Sequence, residues 1–235
     1  MNKTIVVSGG TKGIGRAVIE KFASEDFNVI TCARGGEDLS RMKAELSKNY
    51  SNIKIYTFQA DLSKQGDTAK FVSFINDTVT QVDVLVNNTG TFVPGEIYNE
   101  EAGALDHMIK TNLYSAYDLS RGVIPMMIKE QTGDIFNICS VAGLKAYPNG
   151  GSYSISKFAM HGMSLGLREE LKPHGIRVTS VHPGATFTAS WEGVDLPEER
   201  FIKASDVADS LWAAYCMSRS TVIEELVIRP QLGDI

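Results

Sequence analysis

The chain has 235 residues, 43% of them hydrophobic, enough to bury a sizeable core. A formal net charge of −5 argues against a nucleic-acid partner, which needs a basic stripe along the phosphate backbone. Three cysteines in strand-like or helix-like runs fit a reducing compartment better than a disulfide framework. In chain order, Thr4-Ile5-Val6-Val7-Ser8 comes first, an apolar β-branched run of the kind found in buried parallel strands. It begins too early to leave room for a signal peptide, and no apolar run reaches membrane-spanning length. The expectation is a cytoplasmic protein with no membrane contact.

The first strand leads into Gly9-Gly10-Thr11-Lys12-Gly13-Ile14-Gly15 and then a helix-like stretch from Arg16 to Ser24. Strand, glycine-rich turn and helix in that order point to a dinucleotide site, because glycine lets a pyrophosphate approach the backbone, although such turns also occur without a nucleotide. The helix N-terminus adds free N–H groups and a favourable dipole. The turn lacks the Lys-Ser/Thr ending of a P-loop, which argues against an ATPase or GTPase. A methyltransferase shares such a turn but needs neither Arg34 nor the pair Tyr153 and Lys157.

The second strand, Asn28-Val29-Ile30-Thr31-Cys32, runs into Ala33-Arg34-Gly35. An NAD site places a carboxylate near this strand end for the ribose 2′-hydroxyl. Here a small residue leaves room for a 2′-phosphate, which Arg34 can grip. Lys12 adds a second cation, and no acid is expected beside them. NADP(H) is therefore the favoured cofactor.

Further strands are expected near 53–59, 82–87, 134–139, 176–182 and 225–228, with the longest helices near 103–130 and 152–172. Pro125 should kink or shorten the first of these. The alternation predicts an α/β fold, a Rossmann-type three-layer sandwich with a seven-stranded parallel sheet and helices on both faces. No repeat or linker interrupts residues 1–235, so one domain is expected. His107, His161, His174 and His182 show no zinc-ligand spacing; they read as helix-surface or turn residues, and no metal is expected. Cys139 reads as core packing.

Tyr153-Ser154-Ile155-Ser156-Lys157 places a phenol and an ammonium one helical turn apart on one face. A neighbouring cation lowers a phenol's pKa from about 10 toward the working range. Ser140 follows the apolar run Ile135–Cys139 and should sit at a strand's carboxyl end, where ligands bind in open α/β sheets. The set reads as a proton-transfer site, with Ser140 polarising an oxygen and Tyr153 exchanging its proton.

Together these residues resemble the short-chain dehydrogenase/reductase family over nearly the whole chain. The glycine motif matches at Gly9, Gly13 and Gly15, and Asn87-Asn88-Thr89-Gly90 matches the motif after the fourth strand. Asn112, Ser140, Tyr153 and Lys157 match the catalytic residues, and Pro183-Gly184 with Thr188 matches the nicotinamide side. Asp61 matches the acid near the adenine. The resemblance implies cofactor contacts from Gly9, Thr11, Lys12, Gly13, Ile14, Gly15, Arg34, Asp61, Leu62, Asn88 and Gly90. It implies others from Tyr153, Lys157, Pro183, Gly184, Thr186 and Thr188. Lys157 would also hold the nicotinamide ribose, and Asn112 would link it to solvent by a backbone disturbance or a water. Thr89, Cys139 and Thr186 depart from the usual residues without removing a proton donor.

The implied activity is an NADP-dependent oxidoreductase interconverting a carbonyl and an alcohol by hydride transfer. The lid, about 185–204, is short; Phe187, Trp191 and Phe201 are expected to form an apolar wall beside Val93, Leu144 and Tyr147. A short lid suggests an open cleft and a carrier-bound substrate, hence a 3-oxoacyl-[acyl-carrier-protein] reductase. Small free ketones, aldehydes or pterin-like carbonyls are the alternative. A non-catalytic NADP-binding redox sensor would be expected to lose Tyr or Lys, and both are present. Met126, Met127, Met160 and Met163, with the resemblance, point to the two long helices as the interface of a homodimer or homotetramer.

Overall fold

The computed structural model describes residues 2–188 and 196–235. Its strands are β1 (Thr4–Ser8), β2 (Asn28–Ala33), β3 (Ile55–Gln59), β4 (Val84–Asn87), β5 (Gly133–Ile138), β6 (Ile176–Pro183) and β7 (Glu225–Ile228). They form a 7-stranded parallel sheet in the order β3-β2-β1-β4-β5-β6-β7. The helices are α1 (Gly13–Ser24), α2 (Gly36–Asn49), α3 (Gln65–Thr78), α4 (Ala104–Ile109), α5 (Ser115–Glu130), α6 (Gly151–Leu171) and α7 (Ala204–Tyr215).

Successive strand residues face opposite sides of a sheet, so a continuous apolar run feeds two cores at once. Ile5 and Val7 pack with Val18, Phe22, Met42 and Leu211, under α1, α2 and α7. Val6, between them, packs with Phe71, Leu119 and Met127, under α3 and α5. Phe22 meets Phe27 and Trp212 edge-on, with ring centroids 5.1 and 5.2 Å away. Burying such a side chain contributes about 1.5–3 kcal/mol, and here it fixes α1, whose N-terminus carries the glycine turn, against α7.

The chain leaves β1 toward β2 and leaves β4 toward β5, so the strand order reverses between β1 and β4. That switch point opens a crevice at the carboxyl ends of the strands. At the amino ends of β5 and β6, buried Asp134 accepts from Arg177 Nε at 2.6 Å and from Arg219 Nη1 at 2.7 Å. Arg177 also donates to the Tyr215 carbonyl at 2.7 Å, tying the end of α7 to the sheet.

The expected helix over 103–130 is present from Ala104 to Glu130, but it is not α-helical throughout. Residues Lys110–Tyr114 between α4 and α5 form a π-helical turn, whereas α5 runs on through Pro125. Met127 and Met160 are fully buried in the core rather than on an outer face. No helix among the described residues is long and apolar enough to cross a membrane.

Candidate active site

A cavity of about 810 Å³ runs along the crevice. Gly9, Thr11, Lys12, Gly13, Ile14, Arg34, Asp61, Leu62, Asn88 and Gly90 line one part of it, and Ser140, Tyr153, Lys157, Pro183, Gly184, Thr186 and Thr188 another. Two expected residues do not line it. Gly15 is buried behind the turn, where a Cβ would lie 2.4 Å from the Gly9 carbonyl oxygen and 2.5 Å from Asn88 Nδ2. Asn112 is fully buried behind the loop that follows β4.

The turn fits a dinucleotide's phosphates. Gly9 and Gly13 have φ of +71° and +56°, conformations that L side chains rarely adopt. A Cβ on Gly13 would lie 3.0 Å from the methyl of Thr188, so the segment after β6 closes over the turn. No side chain caps α1 and no acid sits in its first turn, leaving its N-terminal dipole available for an anion. Asn88 Nδ2 donates to the carbonyls of Ser8 and Gly9 at 2.9 and 3.0 Å and braces the turn from β4. Thr89 reaches the same turn, with Oγ1 3.2 Å from where a Gly9 Cβ would be.

Arg34 is exposed at the end of β2, and its carbonyl accepts from Gln59 Nε2 at 2.9 Å. The expectation of no acid nearby fails. Asp38, in the first turn of α2, lines the same cavity and pairs with Lys12 at 3.4 Å and with Arg41. Four residues after Arg34, the helix brings its carboxylate back toward the strand end. Asp61 accepts from the Ser63 hydroxyl at 2.7 Å, which, with lesser help from Lys64 and Arg34, holds its carboxyl below the usual range.

Ser140 follows β5 with one residue between, and its Oγ accepts from the Ala142 N–H at 3.1 Å. Removal from water pushes the Tyr153 phenol above its ordinary value, the larger effect, while the neighbouring Ser140 hydroxyl pulls it the other way. Lys157 does not counter that rise as expected. Its Nζ lies 5.7 Å from the Tyr153 ring centroid and donates to the Ile138 carbonyl at 2.9 Å. Burial lowers the Lys157 pKa to about 8. Asn112, in the π-helical turn, accepts from the Thr91 N–H at 2.7 Å and donates to the Thr91 carbonyl at 3.0 Å and Ser156 Oγ at 2.9 Å. Its side chain clamps the post-β4 loop to α6. A Cβ on Gly90 would lie 3.4 Å from Asn112 Oδ1 and 3.5 Å from Lys157 Nζ, which places the post-β4 loop in contact range of both side chains.

Three positions escaped the sequence reading. Glu100 Oε1 accepts from the Ser152 N–H at 2.8 Å, and Oε2 bonds the Ser152 hydroxyl, so a distant loop caps the helix that carries Tyr153 and Lys157. His182 is fully buried rather than at the surface, its Nδ1 3.0 Å from the Ser140 carbonyl oxygen. Burial holds its imidazole below the usual pKa. Asp38 is the third, and a helix periodicity argument starting at Gly36 would have placed it. No local signal marks the other two.

The expected apolar wall is different. Phe187 and Phe201 lie against each other, ring centroids 5.6 Å apart, and do not line the cavity; nor do Val93 and Leu144. Trp191 lies outside the described residues. Phe92 takes their place, edge-on to Tyr153 at 4.9 Å, together with Tyr147, whose phenol burial pushes up to about 12. Thr186 lines the cavity, but its hydroxyl donates to the Gly184 carbonyl at 3.1 Å. Burial pushes the Cys139 thiol up to about 11, consistent with inert packing.

A family profile described as short chain dehydrogenase matches residues 3–198. The chain is 30% identical to a sepiapterin reductase of Chlorobaculum tepidum, over 100% of this chain and 99% of that protein. A metagenomic short-chain oxidoreductase solved in complex with NADP superposes with a TM-score of 0.84 at 29% identity, covering 97% of each chain. An alcohol dehydrogenase from the archaeon Thermococcus sibiricus, complexed with 5-hydroxy-NADP, has a TM-score of 0.91 at 21% identity, over 98% of this chain and 97% of that one. At that identity the likeness is one of fold.

Proposed function

The chain belongs to the short-chain dehydrogenase family, and from that premise we propose that it is an NADP(H)-dependent reductase of small free carbonyl compounds. The observation that carries this reading is the convergence of Ser140, Tyr153 and buried Lys157 on one cavity at the end of β5. NADPH, when bound, supplies the hydride. Lys12, Arg34, Asn88 and the turn at Gly9–Gly15 would hold its phosphates and adenosine end. Lys157, Thr186 and Thr188 would hold the nicotinamide end.

A substrate carbonyl oxygen gains negative charge as its carbon is reduced. The Ser140 and Tyr153 hydroxyls face that oxygen and stabilise it by preorganised hydrogen bonding. Tyr153 then gives up its proton, a general-acid contribution of about 10²–10⁴-fold. Lys157 holds positive charge beside the resulting phenolate. Asn112 keeps the loop and α6 in register around it, and the π-helical turn provides the backbone disturbance through which Lys157 can be resupplied from solvent.

Phe92 and Tyr147 flank Tyr153, giving the mouth aromatic faces that suit a flat conjugated substrate. This favours a pterin-like carbonyl, in keeping with the name of the Chlorobaculum relative. A 3-oxoacyl thioester, free or carrier-bound, is the second arm. We place the protein in a reducing, cytoplasmic setting, since Cys32, Cys139 and Cys216 are all free. Residues 1–235 act as one domain, with substrate entering past the segment at about 185–204. Two or four copies assemble through the α5–α6 face, where Tyr114, Tyr117, Ile128, Met163 and Leu167 line a groove of about 780 Å³.

The test is NADPH oxidation against a panel of pterin-like side-chain ketones, diketones, aldehydes, quinones, sugars and 3-oxoacyl thioesters. Turnover of the conjugated free carbonyls, lost in Tyr153→Phe, is the expected result. Tight NADPH binding without turnover of any carbonyl would replace the enzyme with a binding protein.

A further inference from the structure

Outside the cavity, His161 on α6, His182 on β6 and Glu225 on β7 converge from three separate elements. One donor atom from each lies within 4.8 Å of the other two. His161 Nε2 is 3.1 Å from Glu225 Oε1, and the two imidazole rings meet at 78° with centroids 4.7 Å apart. His182 is fully buried, and its Nε2 has no hydrogen-bond partner.

The His182 tautomer follows from its surroundings. A carbonyl oxygen only accepts, so the contact between Nδ1 and the Ser140 carbonyl requires the proton on Nδ1. In the neutral ring Nε2 then carries a lone pair, sealed from water and unsatisfied. An orphaned buried acceptor costs about 1–3 kcal/mol, so this arrangement asks for an occupant. An imidazole that donates Nδ1–H to a backbone carbonyl while offering Nε2 is the usual posture of a metal-ligating histidine.

We propose that His161, His182 and Glu225 form a binding site for a divalent transition-metal ion of the zinc class, directly behind the Ser140 backbone. Two imidazoles and one carboxylate are a recognised zinc donor set with a fourth position left open. Tetrahedral zinc with ligands at about 2.0–2.1 Å holds its donors about 3.3 Å apart, so these three need close by no more than about 1.5 Å. Nitrogen donors select zinc, copper or nickel over magnesium and calcium. Glu225 is exposed and His161 half-buried, which leaves an entry path for the ion. Lys157, one helical turn before His161, opposes the ion's charge, and Glu225 offsets it.

Cobalt(II) as a spectroscopic stand-in, and zinc by calorimetry and thermal shift, test the site on metal-free full-length protein. One saturable equivalent is expected, with cobalt d–d bands of a four-coordinate nitrogen/oxygen site and no thiolate charge-transfer band. His161→Gln and the surface change Glu225→Gln should each weaken binding at least tenfold and abolish the zinc-dependent rise in Tm. His182→Gln should do the same, and circular dichroism checks that it folds. Cys216→Ser, which removes the exposed thiol, should change nothing. No saturable binding, binding that survives both His161→Gln and Glu225→Gln, or binding lost in Cys216→Ser would overturn the proposal.

Discussion

Lys157 donates from Nζ to the carbonyl of Ile138 at 2.9 Å rather than to the hydroxyl of Tyr153. The catalytic helix is thereby pinned to the end of β5, next to Ser140, by an ammonium almost wholly removed from water. Its pKa falls from 10.5 to about 8. Below pH 8 both folded and unfolded chains carry this proton. Between pH 8 and 10.5 the unfolded chain retains it while the folded chain releases it, so stability rises with pH across that window.

Lys157→Met tests this directly. Relative to the variant, the wild type should gain about 2 kcal/mol of unfolding free energy between pH 7 and pH 10, read from paired urea titrations. Parallel curves for the two proteins would mean that Lys157 titrates normally. The same variant should lose turnover and bind NADPH more weakly.

Tyr153→Phe removes the phenolic hydroxyl beside Ser140 and keeps the ring that packs against Phe92. The variant should fold and quench its fluorescence with NADPH as the wild type does, yet lose about 10²–10⁴-fold in kcat. Retention of a tenth of wild-type kcat would exclude Tyr153 as the proton donor.

Cofactor choice rests on Arg34 and Lys12 against Asp38. Charge-assisted hydrogen bonds contribute about 1.5–3 kcal/mol each, so NADPH should exceed NADH by roughly ten- to a thousandfold in kcat/KM. Arg34→Ala should collapse that ratio through NADPH alone. Asp38→Asn should widen it several-fold, since it removes the carboxylate that pairs with Lys12. Equal use of both cofactors by the wild type would make Arg34 an ordinary surface cation.

Asp134→Asn should be among the most destabilising single changes outside the site. It leaves buried Arg177 without its carboxylate and also removes the ion-pair partner of Arg219. Breaking a buried pair from one side costs about 3–5 kcal/mol. Since the pair lies at the amino ends of the strands, KM for substrate should be unaffected at temperatures where the variant remains folded. A drop in Tm of only a degree or two would show that the pair relaxes into solvent.

The strands and the order of motifs were legible because they are local. An unbroken β-branched run has few options besides a buried strand, and a glycine turn between strand and helix fits few ligands besides a phosphate. Ser140, Tyr153 and Lys157 follow from position too, since a strand end and a single helical turn place them by geometry of known pitch. Chain-distant relations were not legible. Glu100 caps α6 and His182 reaches the Ser140 carbonyl only because loops and strands far apart in sequence fold side by side. The π-helical turn at Lys110–Tyr114 likewise has no local signal; it carries buried Asn112, which bonds both to Thr91 and to Ser156. The sign of the Tyr153 shift depended on how much water the fold removes, against how near it brings Lys157. Spacing set the distance between those two residues along the helix, but burial and the Ile138 carbonyl decided where the charge points.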